Sequence, residues 1–148
     1  MNLDMLPKPI PSAGLQAYED ELNETLALSP NKAANYKKYK ESNRRSTKVD
    51  YLPIKLDIEN VSRCNFACTM CIVSQWKKGK RAEDMSLEHF KHLIDSQVGL
   101  VEIKLNGLGE ALMQGDDYFE MIKYAREKRI FFNTGSGHRN GAFAHCRI

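Results

Sequence analysis

Three cysteines fall within one short run, Cys64-Asn65-Phe66-Ala67-Cys68-Thr69-Met70-Cys71, with the spacing C-x3-C-x2-C. Thiolates are soft ligands, and three on one loop can hold three irons of a cubane iron–sulfur cluster. The fourth iron is then left without a protein ligand. An open iron can bind a small molecule and pass it an electron, so the pattern points to chemistry rather than to structural support. A second run, Gly107-Leu108-Gly109-Glu110, follows a strand-like stretch. Its glycines permit close backbone approach to a ligand beyond the C-terminal end of a strand. Glu110 can accept a hydrogen bond from an ammonium group.

Blander readings exist for each feature. Cysteines at i, i+4 and i+7 also share one helix face, and buried free cysteine packs as a small hydrophobe. Asn65, Thr69 and the preceding strand argue against a core helix. Structural zinc takes four ligands, usually as two short pairs. Only three are local here, so Cys146, His89 or His92 would have to complete the set. A disulfide framework does not suit a chain of this length without a secretion signal. Glu110 alone could be an exposed loop acid; beside the cysteine run it reads as a cofactor contact.

The cysteine run and the segment 101–110 together resemble the radical S-adenosylmethionine superfamily, over residues 54–134. The resemblance implies that Cys64, Cys68 and Cys71 hold a [4Fe-4S] cluster whose open iron chelates S-adenosylmethionine. It implies one-electron cleavage of the sulfonium C–S bond to a 5′-deoxyadenosyl radical, which abstracts hydrogen from a substrate. Gly107, Gly109 and Glu110 resemble the family's glycine-glycine-glutamate segment, which contacts the methionyl amino group. Met70 stands where the family often has an aromatic residue whose backbone meets the adenine, a contact that tolerates Met. Asn133, Thr134 and Ser136 loosely match a later cofactor-binding turn. No catalytic side chain is assigned. The resemblance further implies a reducing partner such as flavodoxin or ferredoxin. The style of the cysteine run and the long N-terminal extension are similar to SPASM-type members, some of which act on peptides or surface-polysaccharide precursors.

The elements around these motifs follow from hydrophobic period. Leu15, Tyr18, Leu22 and Leu26 predict a helix over 14–28, interrupted by Pro30. Residues 31–48 are rich in Lys and Arg, with Tyr36 and Tyr39 interleaved; they read as a solvated helix face before a linker. Ile54, Leu56 and Ile58 alternate with polar residues, as do Val101, Ile103 and Leu105, which predicts two strands with one apolar face each. The polar face would line a wet lumen or lie half-exposed. Ser86 caps a predicted helix to about Gln97 with Leu87, Phe90 and Ile94 as its stripe. His89 and His92 read as surface residues. Asp117 and Glu120 suggest a capping box for a further helix with Phe119, Ile122 and Ala125 inward and Lys128 and Arg129 at its end. Residues 130–133 read as a third strand. Trp76 follows the cysteine loop, and Lys77, Lys78, Lys80 and Arg81 after it form a basic group that suits a solvated loop, or one facing an anionic substrate or a reducing flavoprotein.

Repeated strand–helix units give a parallel sheet with right-handed crossovers. The expected class is therefore α/β: an incomplete radical S-adenosylmethionine-type partial (β/α) barrel behind an N-terminal helical extension. The expected division is an extension over 1–50, the core portion over 51–134 and an irregular tail over 135–148, truncated or out of frame. A six-unit partial barrel needs about 180 residues at roughly 30 per unit; about two and a half units are present, so the fragment itself can be inactive.

At 148 residues, with 42% hydrophobic and 28% charged residues and a net charge of +3, the chain matches an ordinary globular domain. That charge does not by itself call for nucleic acid. No basic-then-apolar leader starts the sequence, and no apolar run approaches the ~18 residues of a membrane span. Free thiolates and an oxygen-sensitive cluster fit a reducing cytoplasm. The alternative from a different class is a small zinc-binding interaction module whose basic segment 31–48 contacts RNA or protein.

Overall fold

The alternating apolar segments become adjacent strands. In the computed structural model, which describes residues 13–43, 45–75 and 83–133, β1 spans Lys55–Ile58, β2 Glu102–Leu105 and β3 Phe131–Asn133. They form one parallel sheet in the order β1-β2-β3. Among the described residues the sheet is open, with β1 and β3 at its edges. The helices are α1 (Ala13–Leu28), α2 (Pro30–Glu41), α3 (Leu87–Ser96) and α4 (Asp116–Glu127). Thus α3 joins β1 to β2 and α4 joins β2 to β3, while α1 and α2 precede the sheet.

The register sets Leu56 beside Ile103, Ile58 beside Leu105 and Ile103 beside Phe132. This apolar row packs with Phe90 and Ile94 of α3 and with Tyr118, Met121 and Ala125 of α4 in one core cluster. Phe90, Ile103 and Met121 are fully buried, and each such side chain contributes about 1.5–3 kcal/mol relative to exposure. Ser86 caps α3 as expected: its hydroxyl accepts from the His89 N–H at 3.1 Å.

Two expectations are corrected. Helix α4 has no capping box; its N-cap is Gly115, whose φ of 70° lies in the region that favours glycine. Its inward stripe is Tyr118, Met121 and Ala125, with Ile122 partly packed, and Phe119 faces outward at 58% exposure. The polar face of the sheet is also not uniformly wet. Glu102 is buried; its carboxylate accepts from the Tyr18 hydroxyl at 3.0 Å and pairs with Lys55 at 2.7 Å. The Tyr18 ring meets Phe131 edge-on at 5.1 Å. Burial first, and then the Glu102 bond, push the Tyr18 phenol above its ordinary range. Lys55 is raised chiefly by its hydrogen bond to Glu102. So α1 covers the first layer of that face, where Lys55, Glu102 and Phe131 lie in register.

Helix α2 is braced against the entries of the strands. The buried Asn35 accepts from the Leu52 N–H at 2.8 Å and donates to the carbonyl oxygens of Leu52 and Gly99. Lys32 donates to the last carbonyls of the α4 end, Lys128 at 2.7 Å and Arg129 at 3.0 Å. Lys37, Lys38 and Lys40 remain exposed, as a solvated face requires. No helix among the described residues is long and apolar enough to cross a membrane.

Candidate cofactor site

Both motif-bearing loops leave the C-terminal ends of adjacent parallel strands. The cysteine run follows β1 and the glycine run follows β2. In parallel α/β sheets this end is where ligands bind.

The two loops touch through backbone. The Glu110 N–H donates to the Arg63 carbonyl at 3.0 Å, one residue before the first cysteine. Gly109 lies so close to the carbonyls of Val61 and Arg63 that an added Cβ would collide with both. Its missing side chain therefore admits the stem of the cysteine loop. Gly107 faces the Glu59 side chain in the same way, and the Glu59 carboxylate accepts from the Leu108 N–H at 2.8 Å.

Glu110 is buried at 8% exposure, not an exposed loop acid. It is the N-cap of the 3-10 turn Ala111–Gln114, and its carboxylate accepts from the Leu112 N–H at 3.4 Å. Met70 is 82% exposed. Asn133 ends β3. Thr134 and Ser136 lie outside the described residues, as do Trp76, the basic group 77–81, Cys146 and the tail 135–148.

The cysteines themselves are half-buried in irregular backbone. The Cys71 N–H donates to the Cys68 carbonyl at 3.0 Å, and the 3-10 turn Ile72–Gln75 follows. Cys64 and Cys71 are free thiols, whereas Cys68 is disulfide-bonded, against the expectation of three free thiols. Among the described residues no three His, Cys, Asp or Glu side chains are gathered to hold a metal ion. His89 and His92 are exposed on α3, which suits surface residues.

No protein-family model, curated protein or solved structure matches this chain. The site therefore stands on its own geometry.

Sequence reading missed several residues that shape it. Arg63 donates to the Asp84 carboxylate through Nε, at 2.9 and 3.3 Å, and through Nη2, at 2.7 Å, and to the Met113 carbonyl at 2.9 Å. Asn60, Met85 and Gln114 form a second set of contacts between the same segments. These partners lie tens of residues apart, so no local pattern announces them. Leu108 and Leu112 on the glycine side, and Met70 and Ile72 on the cysteine side, are exposed apolar side chains. Helix α2, by contrast, sits at the opposite end of the sheet, against residues that precede the strands.

Proposed function

We propose that this chain carries the cofactor-binding portion of a radical S-adenosylmethionine enzyme, with β1, β2 and β3 as the first strands of a partial (β/α) barrel. The observation that carries the reading is the junction of the two loops. The segment bearing Glu110 is hydrogen-bonded to the stem bearing Cys64, at the ligand-binding end of a parallel sheet.

The donor set suits the group. Cys64, Cys68 and Cys71 would hold a [4Fe-4S] cluster through three thiolates. They lie in backbone without regular secondary structure, so the loop can close on iron once Cys68 is reduced. The cluster, when bound, supplies the electron that cleaves S-adenosylmethionine to a 5′-deoxyadenosyl radical. The chain's own residues bind and orient. Glu110, already buried and anchored at the head of its 3-10 turn, offers a carboxylate to the methionyl ammonium. Gly107 and Gly109 keep the glycine loop against the cysteine stem. Met70, Asn133, Thr134 and Ser136 remain candidates for the adenosyl end. Exposed apolar side chains on both loops give an organic cofactor surface to cover. The substrate, a peptide or saccharide precursor by resemblance, and the flavodoxin- or ferredoxin-type donor belong to the same proposal, as does a cytoplasmic location.

The zinc-module reading has less to rest on. Its aromatic residues pack on one another, Tyr36 with Tyr39 at 5.7 Å and Tyr39 with Tyr51 at 5.4 Å, rather than standing free for bases. The basic helix also lies away from the cysteines.

The test is chemical. The chain is reduced, reconstituted without oxygen, and given dithionite and S-adenosylmethionine. Release of 5′-deoxyadenosine is expected. A cluster-loaded chain that neither binds nor cleaves S-adenosylmethionine would contradict the proposal.

A further inference from the structure

Asn60 follows β1 and is 1% exposed. Its Nδ2 donates to Gln114 Oε1 at 2.5 Å. Gln114 Nε2 donates to the Met85 carbonyl at 2.5 Å. The Met85 N–H donates to the Asn60 carbonyl at 2.8 Å. Three bonds thus close a ring through three separate segments. The orientation of both amides follows from one demand. The Met85 carbonyl can only accept, so Gln114 must turn its Nε2 toward it and its Oε1 toward Asn60. Asn60 then turns its own nitrogen inward, which leaves Asn60 Oδ1 as the buried side-chain atom without a partner among the described residues.

The ring sits at the base of the cysteine loop. The chain leaves the base at Arg63 and returns at Asp84, and these two residues are themselves paired at 2.7 Å. That pair is half-exposed and worth little alone; the ring, part-buried and built on the buried Asn60, is the firmer tie. Gln114 has a second relation that matters more. It ends the 3-10 turn Ala111–Gln114, and Glu110 caps the head of the same turn, with the Met113 N–H donating to the Glu110 carbonyl at 3.0 Å. One short turn therefore carries the carboxylate at one end and the tie to the cysteine loop at the other.

We infer that Gln114 is a positioning residue: through Asn60 and Met85 it holds the base of the cysteine loop in fixed relation to Glu110. The inference deepens the proposed function and rests on that reading for its link to the cofactor. The tie itself is a property of the polypeptide and can be read without any cofactor.

The test uses Gln114→Met, which keeps the length and removes both hydrogen bonds. Amide hydrogen exchange on the reduced, metal-free chain is the first measurement. The Met85 and Glu110 amides should exchange about tenfold faster, while those of Phe90 and Met121 in the helices stay as they were. After anaerobic reconstitution, iron content should be unchanged and S-adenosylmethionine should bind about tenfold more weakly. Unchanged exchange at Met85 and Glu110 overturns the tie. Faster exchange throughout α3 and α4 shows a merely structural role and also overturns it. Undiminished cofactor affinity with the two amides loosened overturns the positioning role. If Gln114→Met does not fold, Gln114→Glu replaces it. That variant keeps the acceptor for Asn60 and puts a carboxylate where Met85 needs a donor, so the Met85 amide should loosen; if it does not, the tie is wrong. A wild-type chain that assembles no cluster sinks the proposed function instead, and the exchange result then decides the coupling of the two loops by itself.

Discussion

The backbone N–H of Glu110 donates to the carbonyl of Arg63 at 3.0 Å, although the residues belong to loops that follow different strands. That bond places a buried carboxylate next to the stem of a three-cysteine loop.

Glu110→Gln keeps an oxygen for the Leu112 N–H and removes the negative charge. A hydrogen bond to a charged group is worth about 1.5–3 kcal/mol, so S-adenosylmethionine should bind roughly one to two decades more weakly. Cluster content should not change. Titration of the cluster's visible spectrum reads the affinity, and an unaltered value would remove Glu110 from the site.

Gly109→Ala places a methyl group against the backbone carbonyls of Val61 and Arg63. Backbone cannot step aside as a side-chain tip can, so the cost should be about 1–3 kcal/mol. Gly115→Ala meets no atom within 4 Å and is penalised only for its φ of 70°, again about 1–3 kcal/mol. The two differ in what they disturb: only the Gly109 variant should lower S-adenosylmethionine affinity. Urea unfolding with a binding titration on each variant checks this; equal binding by both would show that Gly109 does not join the loops.

Much of the frame was legible in the sequence, and the misses have physical causes. The alternation at 54–58 and 101–105 located β1 and β2 because one face of each meets the core. Ser86 located the start of α3 because its hydroxyl has a local N–H to accept. Helix α4 keeps Ala125 inward, as its spacing predicts, but turns Tyr118 and Met121 inward in place of Phe119, with Ile122 only partly packed. Phe119 and Ile122 share the same i, i+3 spacing as Tyr118 and Met121, and packing against Phe132 selects the second pair. Glu102 looked like a wet-face residue because the residue that covers it, Tyr18, lies 84 positions earlier. By sequence, the glycines make room for a ligand. The structure shows them making room for Glu59 and for the cysteine stem, a contact that no single-segment pattern contains. The ring through Asn60, Met85 and Gln114 was invisible for the same reason.

Lys32 gives a test of how α2 is held. Burial, and then the nearby Arg129, lower its ammonium from 10.5 to about 8. Between those values the unfolded chain binds more protons than the folded one, so this group's contribution to stability rises with pH across the window. Below it both states are protonated and the group adds no slope. Urea unfolding from pH 8 to 10 should therefore show wild type gaining stability relative to Lys32→Met as pH rises. Parallel pH profiles for the two proteins would mean that Lys32 is not desolvated at the α4 terminus.

Binding of an iron–sulfur cluster by Cys64, Cys68 and Cys71 is tested by measuring iron, sulfide and zinc per chain after reduction and oxygen-free reconstitution. A brown protein with roughly four irons and four sulfides per chain and negligible zinc is expected. Cluster should be lost when any one of the three cysteines is replaced by Ala and kept in Cys146→Ala. A colourless protein carrying zinc, or equal iron loss from the Cys146 variant, would contradict it.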